Sequence, residues 1–401
     1  SEETSEADSE EEAVCDEVLK EMEDLEQNFP AVAKQYRLIS KIGEGTFSCV
    51  YKAVDVNYSK YDNRYWDVAP TPADDRPVLH QSKRTKVTND PCSHQPPSRE
   101  PRKYVAVKKI YVTSSPARIA NEIQILKDLT GHPHVGPLIT ALRHEDQVLV
   151  VLPYFQHHDF RDYYRTMNLE QIKRYLYCLF SALEYTHRHK ILHRDVKPSN
   201  FLFNIDTQHG VLVDFGLAHK KVVPHTHSLG ASTSLYPRRP AVEQTPTIVD
   251  SRQRPGILRR DLRPSVRANR AGTRGFRAPE VLLKVTYQTQ AIDIWSVGVI
   301  MLSILTHRFP FFNSTDDQEA LLEMGVLFGK KEMERVASLH DRAFFTNVPT
   351  VRESAIPFDR LVKVYNSGGL AVFPPEVYDL LTQCFALDPN ERITAQEALQ
   401  H

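Results

Sequence analysis

Apolar residues along this chain recur first at every second position and later at every third or fourth, and the change of period divides it. Strand-like alternation begins near Tyr36 (YRLISKIGEG), resumes over Cys49–Asp55 and returns over Tyr104–Tyr111 (YVAVKKIY). A helical spacing follows at Ile119, Ile123, Leu126 and Leu129, and then two strands ending in QVLVVLPYF. Beyond Phe155 the pattern is mostly helical, notably over Leu169–His189 and Thr289–Leu305. Strands first and helices afterwards predict an α+β chain of two lobes, 36–153 and 154–401, joined near Pro153–Gln156.

Three stretches break these patterns. Residues 1–35 open with an acidic run (SEETSEADSEEE), expected to be a tail without a fixed fold. They continue with Val14, Val18, Met22 and Leu25 at the spacing of a short amphipathic helix, suited to the domain's own surface or to a partner. Residues 56–103 are too long for an ordinary strand connection and read as an insertion. Residues 222–270 carry nine arginines against three acidic residues, with six prolines, and are not expected to hold regular structure. Such a basic segment is suited to acidic proteins, DNA phosphates or an import receptor, or is simply a solvated loop.

Composition narrows the class. With 50 Lys+Arg against 51 Asp+Glu, net charge selects no partner, and 41% hydrophobic residues supply a core. The five cysteines are scattered, without a CxxC pair, as in reduced packed thiols rather than a zinc site. The longest apolar run, Ile294–Leu305, is too short to cross a bilayer and reads as a buried helix, so no membrane partner is expected.

The candidate chemistry is concentrated in four motifs. Gly43-Glu44-Gly45-Thr46-Phe47-Ser48 lies between two predicted strands, where missing Cβ atoms let backbone approach a phosphate. A turn that needs glycine for its own geometry gives the same pattern. Lys108 stands on the apolar strand Val105-Ala106-Val107-Lys108, where an inward ammonium needs anionic partners such as Glu122 or phosphates. His193-Arg194-Asp195-Val196-Lys197-Pro198-Ser199-Asn200 gathers a carboxylate for a hydroxyl, a cation for a phosphate and an amide oxygen for Mg²⁺. Asp214-Phe215-Gly216, fourteen residues beyond Asn200, adds a second oxygen ligand.

Together these motifs resemble the eukaryotic protein kinases over about Tyr36–His401. The resemblance implies the bilobal kinase fold: a small antiparallel sheet with one main helix in the N-lobe, and a larger, mainly helical C-lobe. It also implies ATP and Mg²⁺ as cofactors. It gives Lys108, paired with Glu122, the α/β-phosphates, Asp195 the role of catalytic base, Lys197 the γ-phosphate, and Asn200 and Asp214 the Mg²⁺. Ile42, Gly43, Gly45, Val50, Ala106, Leu152, Pro153, Tyr154 and Leu202 match the nucleotide pocket. Lys197, two residues after Asp195, is the serine/threonine-type pattern, while Glu280, Asp293 and Arg392 match positions that hold the fold.

A narrower resemblance is carried by KIGEGTFS, YVTSSP and RANRAGTRGFRAPE. These are similar to the cell-division-cycle-seven kinases in their fungal form, the catalytic half of DDK. That resemblance implies an activating regulatory subunit, the minichromosome maintenance helicase as substrate, and a nuclear location. Thr273 falls where the family's segment touches Asp195 and Lys197. Arg274 and Arg277 flank the expected pocket for the residue after the target and would favour an acidic or phosphorylated neighbour, unless a carboxylate of the chain itself pairs with them. Another acidophilic kinase of the casein-kinase-like neighbourhood, a pseudokinase scaffold and a nucleic-acid module are the competing readings. The scaffold sits poorly with Lys108, Asp195, Asn200 and Asp214 all being present.

Overall fold

The computed structural model describes residues 15–63, 66, 103–220, 270–366 and 373–401, in two compact units divided after Phe155. The expected acidic tail, most of the first insertion and the basic segment up to residue 269 lie outside the described residues.

The first unit is built on one antiparallel sheet. Its strands are β1 (Tyr36–Glu44), β2 (Ser48–Asp55), β3 (Tyr104–Ile110), β4 (Thr140–His144) and β5 (Gln147–Pro153), in the order β1-β2-β3-β5-β4. Strands β2 and β3 are paired from Ser48↔Ile110 to Val54↔Tyr104, so the 48-residue excursion between them leaves the sheet register intact. The described start of that excursion is ordered by Asn63, whose side-chain amide donates to Tyr58 O at 2.7 Å and accepts from Trp66 Nε1 at 3.1 Å.

Two helices precede the sheet, α1 (Asp16–Asn28) and α2 (Pro30–Gln35). They bury Met22, Leu25, Phe29 and Val32 against Tyr36, Tyr51, Val105, Val107 and Leu149. At roughly 1.5–3 kcal/mol for each buried apolar side chain, this face is a substantial part of the unit's core. Of the two uses open to the amphipathic pattern, α1 packs on its own domain. Helix α3 (Pro116–Leu129) follows β3. Proline at its first turn and Ser115, whose side chain accepts from Arg118 N at 3.3 Å, define its start.

The second unit is mainly helical. Short α4 (Phe160–Tyr163) leads to α5 (Leu169–Arg188), which opens with a reciprocal capping box between Asn168 and Gln171. Four short strands follow: β6 (Ile191–Leu192), β7 (Phe201–Asn204), β8 (His209–Leu212) and β9 (His219–Lys220), paired as β6-β9 and β7-β8. After the undescribed segment come α6 (Pro279–Leu282), α7 (Ala291–Thr306), α8 (Asp317–Phe328), α9 (Lys330–Leu339), α10 (Phe358–Tyr365), α11 (Pro375–Cys384) and α12 (Ala395–Ala398).

Every α7 residue from Ile292 to Thr306 is buried, which accounts for its nearly unbroken apolar sequence. The helix starts at Ala291 rather than Thr289 because the Thr289 hydroxyl accepts from Ala291 N at 3.4 Å, closing a turn ahead of it. No helix among the described residues is long and apolar enough to cross a membrane. An antiparallel sheet followed by a helical region is the α+β arrangement that the change of period predicts.

Candidate active site

In the sheet unit, β1 and β2 form a tight hairpin closed by Gly45 N donating to Ser48 O at 2.8 Å. Ile42 is 43% exposed beside it. Val50 stands opposite Lys108, and Ala106 opposite Leu152, in the paired register. Strand alternation puts Ala106 and Lys108 on one face of β3, while Val105 and Val107 enter the core on the other. Lys108 Nζ meets Glu122 Oε1 of α3 at 2.6 Å, both side chains being more than nine-tenths buried. A buried ammonium is tolerated only with such a partner. Pro153 ends β5, and Tyr154 N donates to Tyr104 O at 3.3 Å. The Tyr104 and Tyr154 rings flank the Lys52 ammonium at 4.5 and 4.6 Å.

In the helical unit, Leu202 lies on β7 opposite Val211. The loop between β6 and β7 carries Asp195, Lys197 and Asn200, which converge. Lys197 Nζ lies 2.8 Å from Asp195 Oδ2 and donates to Thr273 Oγ1 at 2.9 Å. Asp195 Oδ1 accepts from both the backbone N and the hydroxyl of Thr273, each at 2.8 Å. Asn200 Nδ2 donates to Asp195 O at 2.9 Å and to Asp195 Oδ2 at 3.1 Å, which leaves its side-chain oxygen as the acceptor. The backbone carbonyl of Asn200 accepts from Val213 N at 2.9 Å, so Asp214 follows directly on a residue bound to the loop. Asp214 is exposed, and its carboxylate accepts from Gly216 N at 3.3 Å.

Several buried groups hold this loop. Asp293, on the first turn of α7, accepts from His193 N at 2.9 Å, Arg194 N at 2.7 Å and His187 Nε2 at 2.9 Å. Burial alone would raise its pKa, but the hydrogen bond from His187, with charge and backbone contributions from His193 and Arg194, takes it below the ordinary value. That carboxylate holds Arg194 at φ +71° and lies in the same unit as Asp214 at φ +63°, both unusual for side-chain-bearing residues. The His193 and Phe215 rings meet edge to face at 4.9 Å. Gly272, at φ +99°, lets the chain before Thr273 pass directly against Arg194 O, where a Cβ would collide. Glu280 and Arg392, both fully buried, form a two-pronged pair at 2.8 and 3.1 Å.

Both candidate substrate arginines have an internal partner. Arg277 NH1 lies 3.0 Å and Arg274 Nε 3.5 Å from Asp317 Oδ1, and Arg270 NH1 lies 2.5 Å from Asp317 Oδ2. Three guanidiniums therefore share one carboxylate and keep a positive excess. Burial, and then the neighbouring Arg274 and Arg270 charges, lower the pKa of Arg277 against the pull of Asp317. Sequence reasoning missed Asp317, His187, Gly272 and Gln288, which accepts from Arg194 NH2 at 3.1 Å. Asp317 lies 40 residues beyond Arg277, and no local pattern marks it. Gly272 was findable, as a glycine in the quoted AGTRGF run.

Comparison with known proteins settles the family. The chain matches the protein kinase domain family over residues 96–239 and 257–401. It is 45% identical over 412 residues to the cell cycle serine/threonine-protein kinase hsk1 of Schizosaccharomyces pombe, covering 95% of this chain and 75% of that one. It is 39% identical over 371 residues to a probable cell division control protein 7 homolog of Encephalitozoon cuniculi, covering 92% of each chain. This chain belongs to the cell-division-cycle-seven family of serine/threonine protein kinases. The kinase is also 38% identical over 398 residues to the cell cycle protein kinase spo4 of Schizosaccharomyces pombe, covering 95% of this chain and 88% of that one. ATP is accordingly its phosphoryl donor. The glycine-rich hairpin precedes the matched domain segments but lies within the 95% shared with hsk1 and spo4.

Proposed function

We propose that this kinase transfers the γ-phosphoryl group of ATP to serine or threonine in acidic or phosphorylated sequences. We further propose that it acts in the nucleus on the minichromosome maintenance helicase, as the catalytic half of a complex with a regulatory subunit. The relatives' names, cell cycle kinase and cell division control protein, support the cellular setting. The observation that carries the substrate preference is the arginine trio around Asp317, where one carboxylate answers three guanidiniums. An added carboxylate or phosphate would balance the surplus through charge-assisted hydrogen bonds.

In this reading Asp195 Oδ1, which accepts from the Thr273 hydroxyl, accepts the proton of the incoming substrate hydroxyl. Lys197 steadies the transferred phosphoryl group, and Thr273 fixes both side chains. Lys108, oriented by Glu122, serves the α/β-phosphates, and Gly43 and Gly45, lacking Cβ atoms, let the hairpin backbone approach them. Ile42, Val50, Ala106, Leu152, Pro153, Tyr154 and Leu202 serve the rest of the nucleotide. The side-chain oxygen of Asn200 and the carboxylate of Asp214 fit a magnesium ion, a hard cation that prefers such ligands. When bound, magnesium supplies charge neutralisation on the phosphates.

The test is phosphate transfer by the kinase co-purified with its regulatory subunit, on an array varying the residue after the target. Wild type should favour Asp, Glu or phosphoserine over Ala there, Asp195→Asn should be inactive, and Asp317→Asn should sharpen the acidic preference. A flat array with active wild-type kinase would remove the proposed role of the arginines. Wild-type complex that never consumes ATP would overturn the whole reading.

A further inference from the structure

The N-terminal helix does more than cover the sheet. Where β1 runs into the glycine-rich hairpin, Lys41 Nζ lies 2.9 Å from Glu21 Oε2 of α1 and 2.9 Å from Glu44 Oε2 between the two glycines. The ammonium is thus shared between a helix anchored in the core and the hairpin it adjoins. Glu21 also accepts from Tyr51 OH of β2 at 3.2 Å, and Glu44 from Tyr111 OH just beyond β3 at 3.3 Å. Tyr111 N donates to Phe47 O at 2.9 Å, tying the far arm of the hairpin to the same residue. The Arg118 guanidinium lies 3.8 Å above the Phe47 ring, adding a hold from α3.

Helix α1 can serve as the fixed end of this chain because Met22 and Leu25, on the turn after Glu21, are buried with Phe29. Lys41 is the link between helix and hairpin, only 15% exposed although its two partners are 47% and 62% exposed. Its hydrogen bond to Glu21, and then that to Glu44, raise its pKa above the ordinary lysine range, so it stays charged at any working pH. The β1 register is irregular between Lys41 and Gly43, so hydrogen bonds of the sheet alone do not fix the strand there.

We propose that Glu21, Lys41 and Glu44 form a brace by which the N-terminal helix presets the glycine-rich hairpin for the ATP phosphates. The inference rests on the kinase reading above and makes Glu21 and Lys41 positioning residues for the nucleotide. Without the brace the hairpin must be ordered by each incoming nucleotide, which weakens ATP binding and leaves the chemical step alone.

The test is steady-state kinetics on the kinase with its regulatory subunit, with ATP and peptide varied separately. Lys41→Met and Glu21→Gln should each raise KM for ATP about three- to fivefold, the scale of a lost exposed ion pair, with kcat and peptide KM unchanged. Lys41→Arg should stay near wild type. The charge exchange Glu21→Lys with Lys41→Glu should stay impaired, because the carboxylate introduced on β1 then faces Glu44, whereas adding Glu44→Lys should recover ATP affinity. Glu23→Gln, an exposed α1 residue, is the control. Unchanged KM for ATP in Lys41→Met and Glu21→Gln, with active wild type, would overturn the brace. A wild type without ATP turnover would instead overturn the kinase reading. A parallel fall of kcat and melting temperature would mean that these residues only hold the fold.

Discussion

Replacing Asp293 by asparagine tests the link between the buried helix α7 and the loop of Asp195. The wild-type carboxylate accepts three donors, His187 Nε2, His193 N and Arg194 N, at 2.7–2.9 Å. Asparagine keeps one acceptor oxygen and turns an NH₂ group towards a donor. Neutralising one member of such a buried constellation costs ~3–5 kcal/mol, and relief from burying a charge places asparagine near ~3 kcal/mol. That is a large share of the ~5–15 kcal/mol that holds a domain. Since Arg194 is held at φ +71° by this contact, relaxation should displace Asp195 and cost about a hundredfold in kcat.

Urea unfolding followed by tryptophan fluorescence measures the first effect, because Trp295 lies fully buried two residues from Asp293 on α7. The pH dependence has a defined sign. A carboxylate whose folded pKa lies below its ordinary value of 3.8 contributes stability at higher pH and loses it as pH falls through the folded value. The gap between wild type and Asp293→Asn should therefore hold from about pH 8 to about pH 4 and close below that. Equal unfolding midpoints and equal kcat for the two proteins would refute the proposed linkage.

The Glu280–Arg392 pair, fully buried on both sides, gives a second prediction. Arg392→Met should cost about 3–5 kcal/mol in urea unfolding, and pairing it with Glu280→Met should recover part of that, since a lone buried charge is worse than none. Thiol labelling gives a third. Burial pushes Cys384 up to about 12 and Cys178 up to about 11, whereas Cys15 is exposed. At about pH 8, maleimide followed by mass spectrometry should modify Cys15 first among the described cysteines and reach Cys178 and Cys384 only with unfolding.

Local periodicity made the element types legible. The alternation over Tyr104–Tyr111 became β3, and the apolar spacing from Ile119 to Leu129 became α3. Leu169–His189 became α5 almost to the residue, because an Asn168 cap and a regular apolar stripe specify it locally. Lys197 and Asn200, which converge on Asp195, were legible as residue types inside one short motif, whereas Thr273, 78 residues away, was reached only through the family resemblance. Asp317 was not, since one aspartate at a helix start looks like any helix cap until the fold brings three arginines to it. Asp293 offered a motif but not its three donors, two of which are backbone groups 99 and 100 residues away. The reach of Glu21 to Lys41 was equally hidden, because an acidic residue on an amphipathic helix normally faces water.

Helix α7 supports the catalytic loop through Asp293 and the segment before α6 through Ser296, whose hydroxyl donates to Phe276 O at 2.8 Å. Its remaining surface is the centre of the helical unit's core. Melting of that unit should therefore carry the Asp195 loop with it, so that no state in which α7 has melted keeps activity. Residual activity after a heat pulse can then serve as a lower bound on how much of the unit survived.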